Sequence, residues 1–208
     1  MVFHHVPQWI KMWYPGFIWN HSRQESKVYL TFDDGPVPGV TEYVLEELSK
    51  RDMKATFFMV GENVRKHPAL ALAVVNAEHR IGNHTQRHLR GMETDLETYL
   101  ADVKDCDQVI IDQLGLRPHL FRPPYGRMTS KQANKIKKSH QIIMWDVLSG
   151  DYDSRLSATT CLAKTKKYTQ EGSIVVFHDQ EKTRAVIRKV LPDYLDFIRQ
   201  KNLETALL

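Results

Sequence analysis

A parallel α/β fold assembled from strand–helix units is what this 208-residue sequence predicts, and two observations carry the prediction. Short apolar, β-branched runs alternate with longer stretches of helical periodicity from residue 27 onward. Runs such as SIVVF (173–177) are apolar without a gap, as strands covered on both faces are. Strict β–α alternation implies parallel strands joined by right-handed helical crossovers. Seven such units can close into a barrel or wind into an open sheet. In either case reactive groups belong at the C-terminal ends of the strands.

In chain order, strands are expected at 27–33 (KVYLTFD), 54–60 (KATFFMV), 80–83 (RIGN), 119–122 (HLFR), 140–147, 173–178 (SIVVFH) and 203–207 (LETAL). Helices are expected at 40–51, 68–79, 94–114, 129–138, 157–169 and 182–200. In 40–51, Val40, Tyr43, Val44, Leu45 and Leu48 follow helical spacing with charges on the other side. Ser130 and Ser157 stand where N-caps are expected. Residues 1–26 divide from the rest. Their aromatic segment PQWIKMWYPGFIWN (7–20) reads as a strap packing Trp9, Trp13 and Trp19 against the domain at 27–208, with membrane-surface attachment as the minor alternative.

Composition narrows the class. The chain is 42% hydrophobic and 26% charged, as a soluble globular domain is. Its formal net charge of +4 is scattered. Lys135, Lys137 and Lys138 read as a solvated helix face, and no nucleic-acid partner is expected. Cys106 and Cys161 lie far apart and read as small core residues, not a disulfide framework. No transmembrane segment is expected, and the N-terminus lacks the order of a signal peptide. As it stands the chain reads as cytoplasmic; it would be periplasmic or extracellular had a leader been removed. Oligomeric state is not legible.

The polar residues gather where the strand-end rule predicts. Asp33 and Asp34 end the first strand, and His84 and His88 follow the third in GNHTQRH. Arg122 ends the fourth in FRPPYG, Asp146 and Asp151 close or follow the fifth in MWDVLSGD, and His178 and Asp179 end the sixth in VVFHD. His-x-x-x-His is expected to put two imidazoles one helical turn apart, facing a shared metal. In zinc peptidases a Glu inside this motif is the base; here Thr85, Gln86 and Arg87 intervene. One strand-end aspartate would then complete the ligand set and its neighbour serve as general base on water. His178 would protonate the leaving group, Asp151 position His178, and Arg122 orient the free carboxylate. Backbone N–H groups after RPP could hold an oxyanion. The chemistry this suggests is metal-assisted acyl hydrolysis.

TFDDG, HTQRH, RPPYG, the W…D stretch and IVVFHD, in that order, resemble the polysaccharide deacetylase family, also called the NodB homology domain or carbohydrate esterase family four. The resemblance spans about residues 27–207. It implies a distorted (β/α)7 barrel that removes acetyl groups from N-acetylated carbohydrate, using zinc or another divalent ion. It further implies Asp33 as base, Asp34, His84 and His88 as metal ligands, and Arg122 as the residue orienting the base. The N–H of Tyr125 resembles the oxyanion donor, and Asp151 the partner of the acid His178. Pro123, Pro124 and Tyr125 resemble one wall of the substrate groove, which Trp145 and Tyr152 would share. Two departures stand out. The fourth motif, usually Asp-x-x-Asp-Trp, reads Leu148-Ser-Gly-Asp151-Tyr152, and Val175 stands where a leucine three residues before the histidine is expected to shape the acetyl-methyl pocket.

Competing readings are an O-acetyl xylan esterase, a non-haem iron oxygenase, whose facial triad is also two histidines and a carboxylate, and a non-catalytic carbohydrate-binding protein. The separate base and acid candidates argue against the oxygenase. The binder would have lost a ligand, base or acid, and none is missing.

Overall fold

Strand β1 (Lys27–Asp33) is the hub of the computed structural model, which describes residues 4–208. All its residues after Lys27 are buried, so both faces are covered. On one side it pairs in parallel with β2 (Thr56–Met59), followed by β3 (Arg80–Asn83), β4 (Leu120–Phe121) and β5 (Gln141–Ile142). On the other it pairs with β7 (Ile174–His178), which pairs with β6 (Val147–Leu148). A last strand, β8 (Glu204–Thr205), joins the start of β1, below the point where β2 begins to pair.

The expected fifth strand is where structure departs from expectation. It is not one strand but two, because its halves bond different neighbours. Ile143 N–H donates to Phe121 O beside β4, whereas Asp146 N–H donates to Ile174 O on β7. One continuous segment, 141–148, therefore joins the two edges of the sheet and curls it into a barrel, distorted at this seam. The N-terminal segment covers the seam. Val6 N–H donates to Asp146 O, and Ile18 accepts from Met144 N–H while donating to Ile142 O.

Period-two alternation sorts the barrel residues. Val28, Leu30 and Phe32 face outward to the helices with Phe57, Met59, Val175 and Phe177. Tyr29, Phe58, Leu120, Ile143 and Ile174 form a separate apolar cluster inside the barrel. Phe58 fits there because Gly82 is next to it; a Cβ at Gly82 would lie 2.5 Å from the Phe58 ring.

The outer layer comprises α2 (Thr41–Ser49), α3 (Gly61–Lys66), α4 (Pro68–Asn76), α5 (Leu96–Leu114), α6 (Ser130–Ile136), α7 (Ala158–Tyr168) and α8 (Arg184–Gln200). A short α1 (Gln8–Trp13) precedes the barrel. Neither α1 nor α3 is expected from the sequence, since six residues carry too little periodicity. Ser157 caps α7 as expected, accepting from Thr160 N–H. Ser130 does not cap α6; Thr129 does, through a capping box with Gln132. Both cysteines are buried and free. No helix among the described residues is long and apolar enough to cross a membrane.

Asp146 is not at the reactive rim. Its carboxylate accepts from Ile174 N–H (2.9 Å) at the start of β7, from Ser173 Oγ and from Arg23, at the opposite end of the strand from His178. It ties the strap and the seam to β7. Asp146→Ala strands the Ile174 N–H and the Arg23 guanidinium, so urea denaturation should show a loss of about 2–3 kcal/mol. Zinc binding, read separately, should be unchanged; a loss below about 0.5 kcal/mol would contradict this role.

Candidate active site

At the C-terminal end of the strands the barrel opens into a cavity of about 220 Å³. Asp33 lines it, and behind Asp33 lies Arg122, which is fully buried. The guanidinium lies 4.2 Å above the Phe58 ring and donates to the Ile143 and Met144 carbonyls and to Thr31 Oγ1. Its remaining partner is Asp33 Oδ1, at 2.7 Å. Burial pulls the Arg122 pKa down, and the Asp33 charge and hydrogen bond oppose this. Thr31 and Asp33 are two residues apart on β1, so both point inward and one guanidinium spans them.

Asp34 is not on the strand but beyond it, with φ +82°, and this left-handed step turns its carboxylate toward the histidines. Asn63 Nδ2 donates to its carbonyl at 2.7 Å. Its Oδ1 lies 3.0 Å from His88 Nε2 and 3.4 Å from His84 Nε2. Among the described residues these three form the one group able to hold a metal ion, their ligand atoms within 4.8 Å of one another. Asp34 Oδ1 is buried and has no hydrogen-bond partner. His84 Nδ1 lies 2.7 Å from the Arg122 carbonyl oxygen. That oxygen can only accept, so the proton sits on Nδ1 and the Nε2 lone pair faces Asp34.

The histidine pair does not lie on a helix, contrary to expectation. Residues 84–88 form a loop with left-handed backbone at Thr85 (φ +66°) and His88 (φ +57°). Two buried side chains hold it. Asn83 Oδ1 accepts from Thr85 N–H (2.7 Å). Asp102 on α5 accepts from the N–H groups of Gln86 (2.8 Å) and Arg87 (3.0 Å) and from Arg87 Nε (2.6 Å). Sequence reasoning missed Asp102; its only signal was an acid among the buried residues of an amphipathic helix.

Across the cavity, Asp151 Oδ1 is 2.7 Å from His178 Nδ1, and its Oδ2 accepts from His178 N–H. Ser149 Oγ supports Asp151 at 2.9 Å. Burial pulls the His178 imidazole down, but Asp151, and beyond it Asp34 and Asp33, carry it up to about 9. Tyr152 meets His178 edge-on, with ring centroids 5.0 Å apart. Asp179 is buried beneath the Asp-Gly-Pro turn, accepting from Gly35 N–H and Thr41 Oγ1, and burial pushes its carboxyl up to about 8.

Of the expected wall residues, Pro123, Tyr125, Trp145 and Tyr152 line the cavity. Tyr125 has φ +59°, and the turn's hydrogen bonds are donated by Gly126 and Arg127, not by Tyr125. Gly126 must lack a Cβ, which would meet the Trp145 indole at 2.4 Å. Pro124 does not line the cavity but a shallow cleft beside it, with Arg90, Gly91 and Arg127. Val175 is also misplaced by the sequence reading. It is buried against the outer helices, and Val176 faces the cavity. Inward direction repeats every second residue, so with His178 inward its partner is Val176; a residue three back must face out. Leu148, Gln180 and Lys182 complete the lining and were not anticipated. Gln180 Nε2 donates to Asp34 Oδ2.

The family profile described as "Polysaccharide deacetylase" matches residues 20–144. The chain belongs to the polysaccharide deacetylase family. A peptidoglycan-N-acetylglucosamine deacetylase of Bacillus cereus is 31% identical over 181 residues, covering 84% of each chain. The peptidoglycan-N-acetylglucosamine deacetylase PgdA of Listeria monocytogenes is 32% identical over 164 residues, covering 79% of this chain. The present chain spans about a third of that relative's length, 34%. Among solved structures, the Bc1960 peptidoglycan N-acetylglucosamine deacetylase superposes with a TM-score of 0.85 at 25% identity, covering 98% of this chain and 95% of that one. The distorted parallel barrel of this family is thus the fold of this chain.

Asp102 yields a prediction. Asp102→Ala removes the acceptor of the Arg87 N–H and Nε–H and leaves the Gln86 N–H with the residue 102 carbonyl oxygen alone. Isothermal titration with zinc should show affinity weakened by about 10–100-fold, the usual effect of losing a group that orients a ligand. Asp102→Asn, which keeps an acceptor, should lose less. Equal affinity in wild type and Asp102→Ala would remove Asp102 from this role.

Proposed function

We propose that this protein is a divalent-metal-dependent deacetylase, hydrolysing the acetamide of N-acetylglucosamine units in a polymer or oligomer such as peptidoglycan or a chitooligosaccharide. One observation carries the reading: Asp34, His84 and His88 converge beside Asp33, a second carboxylate that takes no part in that cluster and is held by Arg122. The substrates named for the relatives support the substrate class.

The residues fit a metal such as zinc. Two neutral imidazole nitrogens and one carboxylate oxygen leave further positions open, and the unpartnered Asp34 Oδ1 faces both Nε2 atoms. Asp34, His84 and His88 would hold the ion, which would supply Lewis acidity toward the acetyl carbonyl and the attacking water. Asp33 takes the proton from that water. Arg122 occupies its Oδ1, leaving Oδ2 for the cavity. The Tyr125 N–H donates to the oxygen that gains negative charge. His178 gives a proton from Nε2 to the departing nitrogen, while Asp151 accepts from Nδ1 and keeps Nε2 aimed at the cavity. Pro123, Trp145 and Tyr152 offer flat faces to the sugar, and Val176 borders the space for the acetyl methyl. The same residues would cleave an acetyl ester, so the bond attacked is decided by the substrate.

Released acetate from zinc-loaded protein supplied with N-acetylglucosamine oligomers, peptidoglycan and acetylated xylan tests the reading. Acetate from the first two supports it, acetate from xylan alone redirects it to an esterase, and none from any sinks it. Asp33→Asn should bind zinc as wild type does yet lose about 10²–10⁴-fold in rate, whereas Asp34→Ala should lose zinc. The pH profile follows from His178. A general acid must be protonated, and its pKa of about 9 keeps it so at neutral pH, so activity should fall on an alkaline limb at or below that value. Asp151→Asn removes the main influence raising that pKa, so the limb should move to lower pH; an unmoved limb would take His178 out of the acid role.

A further inference from the structure

The N-terminal strap divides its aromatic residues in an unexpected way. Trp19 is buried at 8% exposure, as a strap requires, but Trp9 and Trp13 are 64% and 78% exposed. Met12 is 72% exposed, and Tyr14 is exposed as well. Trp9, Met12 and Trp13 stand at i, i+3 and i+4 of α1, so they share one helix face. Lys11, by contrast, is buried and donates to Asn20. The helix thus turns its apolar stripe to solvent and a cation toward the protein, the reverse of a surface helix of a globular domain.

The segments around it are rich in cations and poor in acids. None of the 25 acidic residues falls within residues 1–24 or 113–145. These two stretches adjoin. Ile18 bridges Ile143, and Trp13, Tyr14 and Phe17 share a cleft with Met128, Ser130 and Lys137. Lys137 Nζ lies 4.8 Å over the Phe17 ring. Arg127, Lys131, Lys135, Lys137 and Lys138 are all exposed on and beside α6. An outward apolar stripe of tryptophan and methionine, with Tyr14 beside it and exposed lysines on the neighbouring α6, is complementary to an anionic lipid interface. Tryptophan and tyrosine settle at headgroup depth, and lysines are drawn to the charged surface.

We propose that the α1–α6 face docks on an anionic lipid membrane, with Trp9, Met12, Trp13 and Tyr14 entering the headgroup region and the lysines of α6 and its following turn holding the surface electrostatically. A sugar platform is a poorer match, because these residues project from a convex helix and lie outside the cavity lining. The proposal is independent of the catalytic reading.

Co-sedimentation of the full chain with vesicles of phosphatidylcholine alone, or mixed with phosphatidylglycerol, tests it. Binding should appear with the mixed vesicles, weaken with added salt, and bring a blue shift of tryptophan fluorescence. Trp9→Ser/Trp13→Ser should abolish it. Lys135→Gln/Lys137→Gln/Lys138→Gln should weaken it, by up to about fivefold for each charge. Unchanged circular dichroism and melting temperature would show both variants folded. No binding to mixed vesicles, equal binding to both kinds, or full binding by the tryptophan variant would each overturn the proposal. Retention on insoluble peptidoglycan that needs Trp9 and Trp13 without vesicle binding would assign the face to glycan. A dimer dissociated by the same variant would assign it to a second copy. Either result also overturns it.

Discussion

A buried guanidinium is the constraint on which the rest of this structure depends. Arg122 has no solvent to turn to, and an unpaired charge at that depth would be prohibitively unfavourable. Its donors are therefore distributed over β1, through Thr31 and Asp33, and over the carbonyls of Ile143 and Met144 in the seam. One side chain thereby draws together a central strand and the segment that closes the barrel. Its own carbonyl, meanwhile, accepts from His84 and sets the histidine's tautomer. The orientation of the candidate base and that of a candidate metal ligand have a common origin in residue 122.

Buried acids do comparable work on the other components. Asp102 and Asn83 hold a loop whose two left-handed residues would otherwise be disfavoured, and Asp107 accepts from both Asn83 and His140 behind it. Asp151 orients His178, Asp179 sits under the Asp-Gly-Pro turn, and Asp146 secures the strap and the seam. Each carboxylate is satisfied by backbone N–H groups, side-chain donors or a cation, as burial demands. Among the described residues, Asp34 is the carboxylate that keeps a buried oxygen without a partner. That exception marks the site.

Charge is segregated on the scale of the molecule too. No acidic residue occurs in residues 1–24 or in 113–145, which hold β4, α6 and β5, so a modest formal net charge of +4 is unevenly distributed along the chain. Reading the net charge alone misses it, because the two acid-free stretches are far apart in sequence and adjoin only in the fold, at Ile18 and Ile143 and where Lys137 lies over Phe17.

Much of this protein was legible in the sequence. The bounds of β1 and β3 were read from their apolar runs and breaks, and the rim residues Asp33, Asp34, His84, His88, Arg122, Asp151 and His178 from their places after strands. Those readings depend on local chemistry: periodicity, turn residues and strand ends. What the sequence could not determine was direction and partnership. Whether Val175 or Val176 faced the cavity depended on which side of β7 the helices covered. Whether Asp146 joined the rim depended on a segment splitting its hydrogen bonds between two neighbours. The histidine pair was legible as a pair but not as a loop, because what holds it, Asp102, lies fourteen residues on and acts through backbone N–H groups that leave no trace in side-chain identity. Residue types and their spacing determined the chemistry available. Packing across distant segments decided which atoms face one another, because burial and hydrogen-bond satisfaction are properties of the folded whole.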